Sequence, residues 1–270
     1  MNRALLVGTL LATLLPAAGV AATKGTKTAT PKTYVGESKP VGNGTVRTWV
    51  TVDAKGNPSA MGVTFSETTL LGLPMTLPKD DIGWESDLAL PKEVKATPFD
   101  HVAFYWNPKG HIPDGIYNVS HFDIHFFMVP EPQRADITAM DRNLVKCFKL
   151  PEPDYIPAGY ILPPQTEHRR MGVHWIDPTS HEFHGNDFTA SLLVGSYDGE
   201  VNFIEPMITR AFLETRPDFT AEIKQPAAYA KTGYYPMSYS VRFDPEKHEY
   251  VVSLDGLTFR EGRPQALVRE

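Results

Sequence analysis

A stretch of nine residues in the middle of the chain, Ser120–Met128, alternates between two kinds of side chain. Its even-numbered positions are apolar from Phe122 to Met128, and its odd-numbered positions begin with His121, Asp123 and His125. Because successive side chains of a strand point to opposite faces, this pattern predicts a β-strand with one face in a hydrophobic core. Any fold of this chain must therefore contain a sheet whose inner face this strand helps to form.

Other short segments carry the same signals of β-structure. Runs of β-forming residues between Asp-Gly and Pro-containing turns predict strands near 45–52, 61–65, 101–106, 119–129, 171–175, 188–194, 201–209, 218–223, 238–243 and 250–254. The segment 133–147 has Ile137, Met140, Leu144 and Val145 at helical spacing and predicts the one main helix. Residues 67–98 show no clean period and are expected to be irregular. With 24 prolines in the chain, the expected fold is mostly β, an antiparallel sandwich or barrel with Pro-rich loops, and α+β is the alternative.

The N-terminus has the three parts of a secretory signal peptide. A positive start at Met1–Arg3 precedes the apolar run Ala4–Ala18 and the small residues Val20–Ala22. The apolar run is shorter than the ~20 residues that a membrane-spanning helix needs. We therefore expect residues 1–22 to be removed, giving a periplasmic or secreted protein without a membrane span. Residues 23–33 are expected to be a flexible mature N-terminus, and residues 34–270 a single β-rich domain.

Charge and cysteine content exclude some classes of function. The formal net charge is −6 and no basic stripe is present, so nucleic acid is not an expected partner. Cys147 is the single cysteine, which rules out an intramolecular disulfide. Its neighbours Leu144, Val145 and Phe148 favour a buried, unreactive thiol over a catalytic one.

The second face of the alternating strand carries the candidate site. His121, Asp123 and His125 share this face, and His and Asp are ligand types for zinc, iron, manganese or nickel. On a straight strand the two His Cα atoms lie about 13 Å apart, so both reach one divalent ion only if the strand bends or bulges. If the strand is straight, Asp123 is expected to act with one of the two His. A hydrogen-bonded structural network and a solvated face are the alternatives, and the second is less favoured because Phe127 and Val129 continue this face.

Two residues from other predicted strands are candidates by the same reasoning. Glu205 shares its face with Val201, Phe203 and Met207, where a carboxylate needs a metal, a proton or an Arg partner such as Arg210. His174 follows Gly172 and is either a ligand or a histidine at the core edge that donates to a carbonyl. The predicted metal ligands are His121, Asp123, His125, His174 and Glu205. Glu205 is also the candidate catalytic residue, as a base on a metal-bound water.

The remaining histidines rank lower as site residues. His101 and His111 precede the alternating strand and are expected to contact and orient the ligands without binding the metal themselves. The group His181, Glu182 and His184 lies in a polar loop and is expected to be exposed. His168 and His248 stand beside basic residues and are expected to be solvated.

Several of these segments together resemble one bacterial family. The segments that carry the resemblance are Asp114–Tyr117, His121–Phe127, Met171–Trp175, Ser196–Gly199 and Glu205–Thr209, within the span Phe99–Phe243. The family consists of functionally uncharacterised exported proteins, typified by a Thermus protein that is under sigma-factor control and forms a homo-oligomer. The resemblance implies export and self-association but no activity. The strand is also weakly similar to the His-x-His strand of cupins, which space their His by two residues rather than four.

Two classes of function are consistent with these features. The first is a binding or assembly module of the cell envelope, with a divalent metal or a polar network on the His-x-Asp-x-His strand and with copies of itself or a small molecule as partners. The second is a metal-dependent hydrolase, lyase or oxygenase of the cell envelope. The sequence leaves open whether the protein is an enzyme.

Overall fold

Fifteen short strands and a few helical turns make up the chain in this computed structural model, which describes Met1 and residues 30–79, 83–93 and 96–265. The strands are β1 (Lys32–Val35), β2 (Lys39–Val41), β3 (Gly44–Val52), β4 (Pro58–Ser66), β5 (Trp84–Ala89), β6 (His101–Asn107), β7 (His121–Phe127), β8 (Val173–Trp175), β9 (Ala190–Tyr197), β10 (Glu200–Thr209), β11 (Asp218–Glu222), β12 (Gly233–Tyr235), β13 (Ser238–Asp244), β14 (Glu249–Asp255) and β15 (Thr258–Arg260). The helices are α1 (Glu131–Ala135), α2 (Asp141–Cys147) and α3 (Arg210–Glu214), with 3₁₀ turns at Glu67–Leu70, Pro153–Tyr155 and His181–His184.

The N-terminal predictions are only partly covered by this structure. The predicted signal peptide lies outside the described residues apart from Met1, as do residues 23–29 of the segment expected to be flexible. Strand β1 begins at Lys32, two residues before the predicted start of the domain. In the described parts of the chain, no helix has the length and apolar character that crossing a membrane requires.

The strands form two large antiparallel sheets and a small one. The seven-stranded sheet has the order β1-β3-β4-β14-β13-β11, with β2 paired to β3. The six-stranded sheet has the order β5-β6-β7-β10-β9-β8, and β12 pairs with β15. The predicted mostly β class is confirmed as a sandwich-like arrangement, and the described strands close no barrel.

The main hydrophobic core lies between the two large sheets. Phe65 of β4 contacts Phe104 of β6 and Phe122 of β7, with ring centroids 5.4 and 5.8 Å apart. Ile124 and Phe126 belong to the same buried cluster. The predicted apolar face of the alternating strand is therefore confirmed as the inner face of the six-stranded sheet.

Loops cover the outer face of the six-stranded sheet. Segments 107–120 and 153–189 supply Tyr117, Met171 and Ile176, which form small apolar clusters with outward side chains of the sheet. All seven residues of β7 are consequently buried. A solvated face at His121, Asp123 and His125 is thus wrong, because the strand is covered on both sides.

A buried ionic cluster holds part of this cover in place. Arg134 of α1 is fully buried, lies over the Phe127 ring at 4.3 Å and pairs with both Glu85 and Asp87 of β5. Arg170, in the covering segment, pairs with the same two carboxylates at 2.5 and 3.1 Å. Burial opposes the ionisation of Asp87, but the hydrogen bond from Glu85 and the charge of Arg134 outweigh it and lower the pKa of Asp87 to about 2. Two cations and two carboxyl groups thereby join β5, α1 and the loop above the site.

Two sequence predictions about helices and irregular regions were wrong. The helix predicted over 133–147 is broken into α1 and α2, because Ala139, which lies between them, has a φ value of 52°, which a right-handed helix cannot contain. Met140, Leu144 and Val145 of the predicted apolar face are exposed, and only Ile137 is buried. Region 67–98, expected to be irregular, contains the edge strand β5. Cys147 is buried, as predicted.

Candidate metal centre

The register of β7 against its neighbours determines which side chains meet on the outer face. The ladder pairs Ile204 with Phe126 and Met207 with Asp123, which sets Glu205 of β10 across from His125. The ladder is interrupted there, since Pro206 has no N–H to donate. On the other side, β6 places Asn107 opposite His121. The continuous register with β6 shows no bulge in β7, so the strand does not bend both histidines toward one point.

A β-bulge sets the orientation of Glu205. The register of β10 against β9 shifts between Val201 and Phe203, so side chains before and after the shift lie on different faces. Phe203 and Met207 accordingly lie on the outer face, as predicted, whereas Val201 packs against the main core. The expected apolar stripe around Glu205 is therefore right for its two nearer members and wrong for Val201.

His174 reaches the site because Gly195 has no side chain. His174 of β8 pairs with Gly195 of β9, and a Cβ on Gly195 would lie 1.9 Å from the Phe203 ring. The Phe203 ring occupies that space and packs between His125 and His174, at centroid distances of 4.9 and 5.0 Å. The two imidazoles are then 6.0 Å apart, although β10 and β9 separate their strands.

The first group of side chains that could hold a metal ion consists of His125, His174 and Glu205. Ligand atoms of the three lie within 4.8 Å of one another. The Nε2 atom of His125 is 3.3 Å from Glu205 Oε1, and the Nε2 atom of His174 is 3.7 Å from Glu205 Oε2. Two imidazoles and one carboxylate are a donor set that binds zinc or iron.

Several polar atoms of this group are buried without a hydrogen-bond partner. They are both ring nitrogens of His125 and the Oε2 atom of Glu205. His174, in contrast, has its Nδ1 atom 2.8 Å from the carbonyl oxygen of Thr166. A carbonyl only accepts, so Nδ1 carries the proton and the neutral ring presents its Nε2 lone pair to Glu205. Buried lone pairs that point at a carboxyl group fit a cation.

The second group consists of His111, His121 and Asp123, whose ligand atoms also lie within 4.8 Å of one another. The Asp123 carboxylate has Oδ1 at 3.0 Å from His121 Nε2 and Oδ2 at 3.3 Å from His111 Nε2. Asn107 donates a short hydrogen bond to Oδ2. The structure thus separates the predicted ligands: His121 and Asp123 lie beside His111, and His125 lies beside His174 and Glu205.

The two groups differ in their electrostatics. Burial holds the pKa of His125 well below its ordinary value and lowers that of His174 to about 4. Burial, together with the charge of Asp123, raises the pKa of Glu205 well above its ordinary value. Burial also opposes the ionisation of Asp123, but its two histidine neighbours outweigh this and hold its pKa well below the ordinary value. The first group therefore lacks a positive charge that would stabilise its carboxylate.

A cavity of about 400 Å³ lies over both groups. Asp123, His125 and Glu205 line it, together with His111 and His174 from the covering loops and β8. Its walls are largely apolar and include Leu77, Ile112, Pro113, Ile176 and Leu193. A small molecule with an apolar body could approach an ion at this floor.

The other histidines and Glu182 belong to neither of the two groups. His101 stacks on Phe127 and belongs to neither group, whereas His168, expected to be solvated, lines the cavity. His248 is exposed, as predicted, and so are His181 and His184. Glu182 is buried, contrary to prediction, because its carboxylate accepts hydrogen bonds from Tyr117 and Ser191 that replace water.

Fold and site together define a class: a β-sandwich with buried histidine and carboxylate groups on the loop-covered outer face of one sheet. Residues 53–106 match the model of a family described as TTHB210-like, hypothetical protein TTHB210. This match supports the resemblance to an uncharacterised Thermus family. It contains none of the six ligand-type residues of the two groups. Neither curated proteins nor solved structures give a significant match to the chain.

Proposed function

We propose that this protein binds a divalent metal ion through His125, His174 and Glu205 and holds it at the floor of the cavity, where the ion binds a small molecule. The observation that carries this proposal is the convergence of one buried and one partly buried imidazole on a buried carboxylate whose Oε2 atom has no hydrogen-bond partner. An unpaired buried carboxylate is costly, and a divalent ion removes that cost.

The environment of His174 supports a ligand role. Metal-bound histidines generally donate their second ring N–H to a carbonyl or carboxylate, which fixes the tautomer and the ring orientation. His174 does so to the Thr166 carbonyl at 2.8 Å, and its backbone N–H contacts the Thr166 hydroxyl at 3.3 Å. Thr166 is thus the residue that orients His174, and no pattern in the sequence indicates this role.

The cavity supports a small-molecule partner for the ion. Three protein ligands leave at least one coordination position of a zinc ion for water or another oxygen donor. The apolar walls favour a molecule whose body is aliphatic or aromatic and whose donor group is a carboxylate or another oxygen.

A metal-dependent hydrolase is the second candidate function, and the position of Glu205 favours it. Glu205 lines the cavity, and its Oε2 atom lies 3.7 Å from His174 Nε2 and has no hydrogen-bond partner. If the two histidines alone bind the ion, this oxygen is free to accept a proton from a metal-bound water. Glu205 would then be the general base that the sequence pattern suggests.

Zinc titration calorimetry of the metal-free protein tests the binding proposal. We expect saturable binding that His174→Gln weakens at least ~100-fold, because changing groups that only orient a ligand already costs 10–100-fold. His248→Gln changes an exposed histidine and should bind zinc like the wild type. Equal zinc affinity in wild type and His174→Gln would contradict the proposal.

Export and self-association complete the proposed function. The charged start, apolar run and small residues up to Ala22 support export, and intact-mass measurement of secreted protein should give a chain that begins at Thr23. Exposed apolar side chains at Met140, Val145 and Phe148 support self-association. Light scattering should show an oligomer that Val145→Asp dissociates. A full-length secreted chain or a monomeric wild type would contradict the respective proposal.

A further inference from the structure

The group formed by His111, His121 and Asp123 is separate from the metal site proposed above, although both face one cavity. Asp123 and His125 are two residues apart on β7, so their Cα atoms lie about 6.6–7 Å apart. Side chains of His121 and Asp123 are 0% and 2% exposed. His111 comes from the loop after β6 and is 17% exposed, which gives the group a route to the cavity.

Both histidines of this group have a fixed tautomer. His111 Nδ1 is 2.7 Å from the carbonyl oxygen of Ile112, and His121 Nδ1 is 2.6 Å from that of Val119. Because a carbonyl only accepts hydrogen bonds, each Nδ1 carries a proton. In the neutral ring each Nε2 is therefore a lone pair, and both lone pairs point toward the Asp123 carboxylate.

A lone pair that faces a carboxylate oxygen needs a positive charge between them. His121 Nε2 is 3.0 Å from Asp123 Oδ1, yet both atoms are without a hydrogen bond of acceptable geometry. A second proton on His111 would make its 3.3 Å contact with Asp123 Oδ2 a hydrogen bond, but it would leave His121 Nε2 and Asp123 Oδ1 unpaired. A second proton on both rings would leave an excess positive charge in a buried site. A single divalent ion satisfies both nitrogens and the carboxylate at once.

We propose that His111, His121 and Asp123 hold a second divalent cation beside the first, so that the cavity floor carries two metal sites. Two imidazoles and one carboxylate again make the donor set. Asn107 completes the arrangement as a positioning residue, since its side-chain N–H donates to Asp123 Oδ2 and orients the carboxylate.

Metal stoichiometry in single-site variants tests this proposal and separates it from the first site, on which it does not depend. Metal-free protein is dialysed against a slight excess of Co²⁺ over two equivalents, and bound cobalt is counted by elemental analysis and by its visible spectrum. We expect two cobalt ions per wild-type chain. His111→Gln and Asp123→Asn should each leave one, held by His125, His174 and Glu205. His174→Gln should also leave one, with the spectrum of the second site.

Two other outcomes would distinguish the two proposed metal sites. One ion in the wild type that persists in His111→Gln and Asp123→Asn but disappears in His174→Gln overturns the second site and leaves the first intact. One ion that disappears in Asp123→Asn and persists in His174→Gln supports the second site and overturns the first. Circular dichroism of each metal-free variant shows whether a loss of bound metal is caused by unfolding. If Asp123→Asn does not fold, His111→Gln, which alters a loop residue, tests the same site.

Discussion

Replacing Glu205 by Gln should have opposite effects on stability in the absence and presence of zinc. In the metal-free protein Glu205 is buried and its Oε2 atom has no partner, and burial raises its pKa well above the ordinary 4.5. Leaving a buried polar group unpaired costs about 1–3 kcal/mol, and more for a charged group. The raised pKa means that burying this carboxyl group at pH 7 costs free energy, and Gln has no ionisable group, so we expect the metal-free Glu205→Gln variant to be about 1–3 kcal/mol more stable at pH 7.

Zinc should reverse this order. A ligand at 1,000 times its Kd stabilises the folded state by about 4.1 kcal/mol, and the variant, which lacks a ligand oxygen of the first site, should lose most of the gain that this site contributes. Urea unfolding followed by tryptophan fluorescence, with chelator or with zinc, measures both differences. Because a raised carboxyl pKa destabilises the folded state only above its ordinary value, the advantage of the metal-free variant should disappear near pH 4.

Glu182→Gln is the matched control. Glu182 is also buried and its Oε2 atom also lacks a hydrogen-bond partner, but its Oε1 atom accepts hydrogen bonds from Tyr117 at 3.1 Å and Ser191 at 2.7 Å, and it belongs to neither metal group. Whatever stability Glu182→Gln gains or loses should therefore be the same with and without zinc. If Glu205→Gln behaves in the same way as Glu182→Gln, Glu205 is not a metal ligand and the reasoning is refuted.

Three further predictions concern the support and the protonation of the site. Gly195→Ala places a Cβ 1.9 Å from the Phe203 ring, so we expect overpacking to lower the stability by about 1–3 kcal/mol and to weaken zinc binding. Phe203→Leu should partly restore both. Unchanged zinc binding in Gly195→Ala would contradict this prediction. Arg134→Met should cost about 3–5 kcal/mol of stability. The lowered pKa of Asp87 stabilises the wild-type fold above about pH 4, and this contribution is lost between about pH 4 and 2; the variant should lose less stability over that range. An unchanged pH dependence in urea unfolding would contradict this prediction. Because zinc competes with a proton for Glu205, whose pKa is raised, the binding enthalpy should depend on the buffer, and Glu205→Gln should reduce that dependence.

The sequence predicted the elements that burial controls. The alternation in 120–128 identified β7 and its core face because one face of the strand must exclude water. The same periodicity placed Phe203, Glu205 and Met207 on one face, but it could not show the bulge that turns Val201 the other way. Helical spacing in 133–147 was misleading, since Met140 and Val145 lie on a surface that the monomer leaves exposed.

The grouping of the ligands depended on long-range geometry. His125 and Glu205 meet only through the register of β7 against β10, which no local pattern encodes. His111 approaches Asp123 because its loop turns at Gly110, where φ is +66° and a Cβ would lie 1.9 Å from the Tyr117 carbonyl oxygen. A Gly next to a histidine was the one signal that could have raised the rank of His111.

Crystals of the protein grown with zinc provide the most direct test of the central claim, that His125, His174 and Glu205 bind a metal ion. Anomalous diffraction at the zinc edge should place a peak between the two Nε2 atoms and the Glu205 carboxylate, at about 2.0–2.2 Å from each. A peak confined to surface residues, with His125 and Glu205 still facing each other at the present 3.3 Å, would contradict the account.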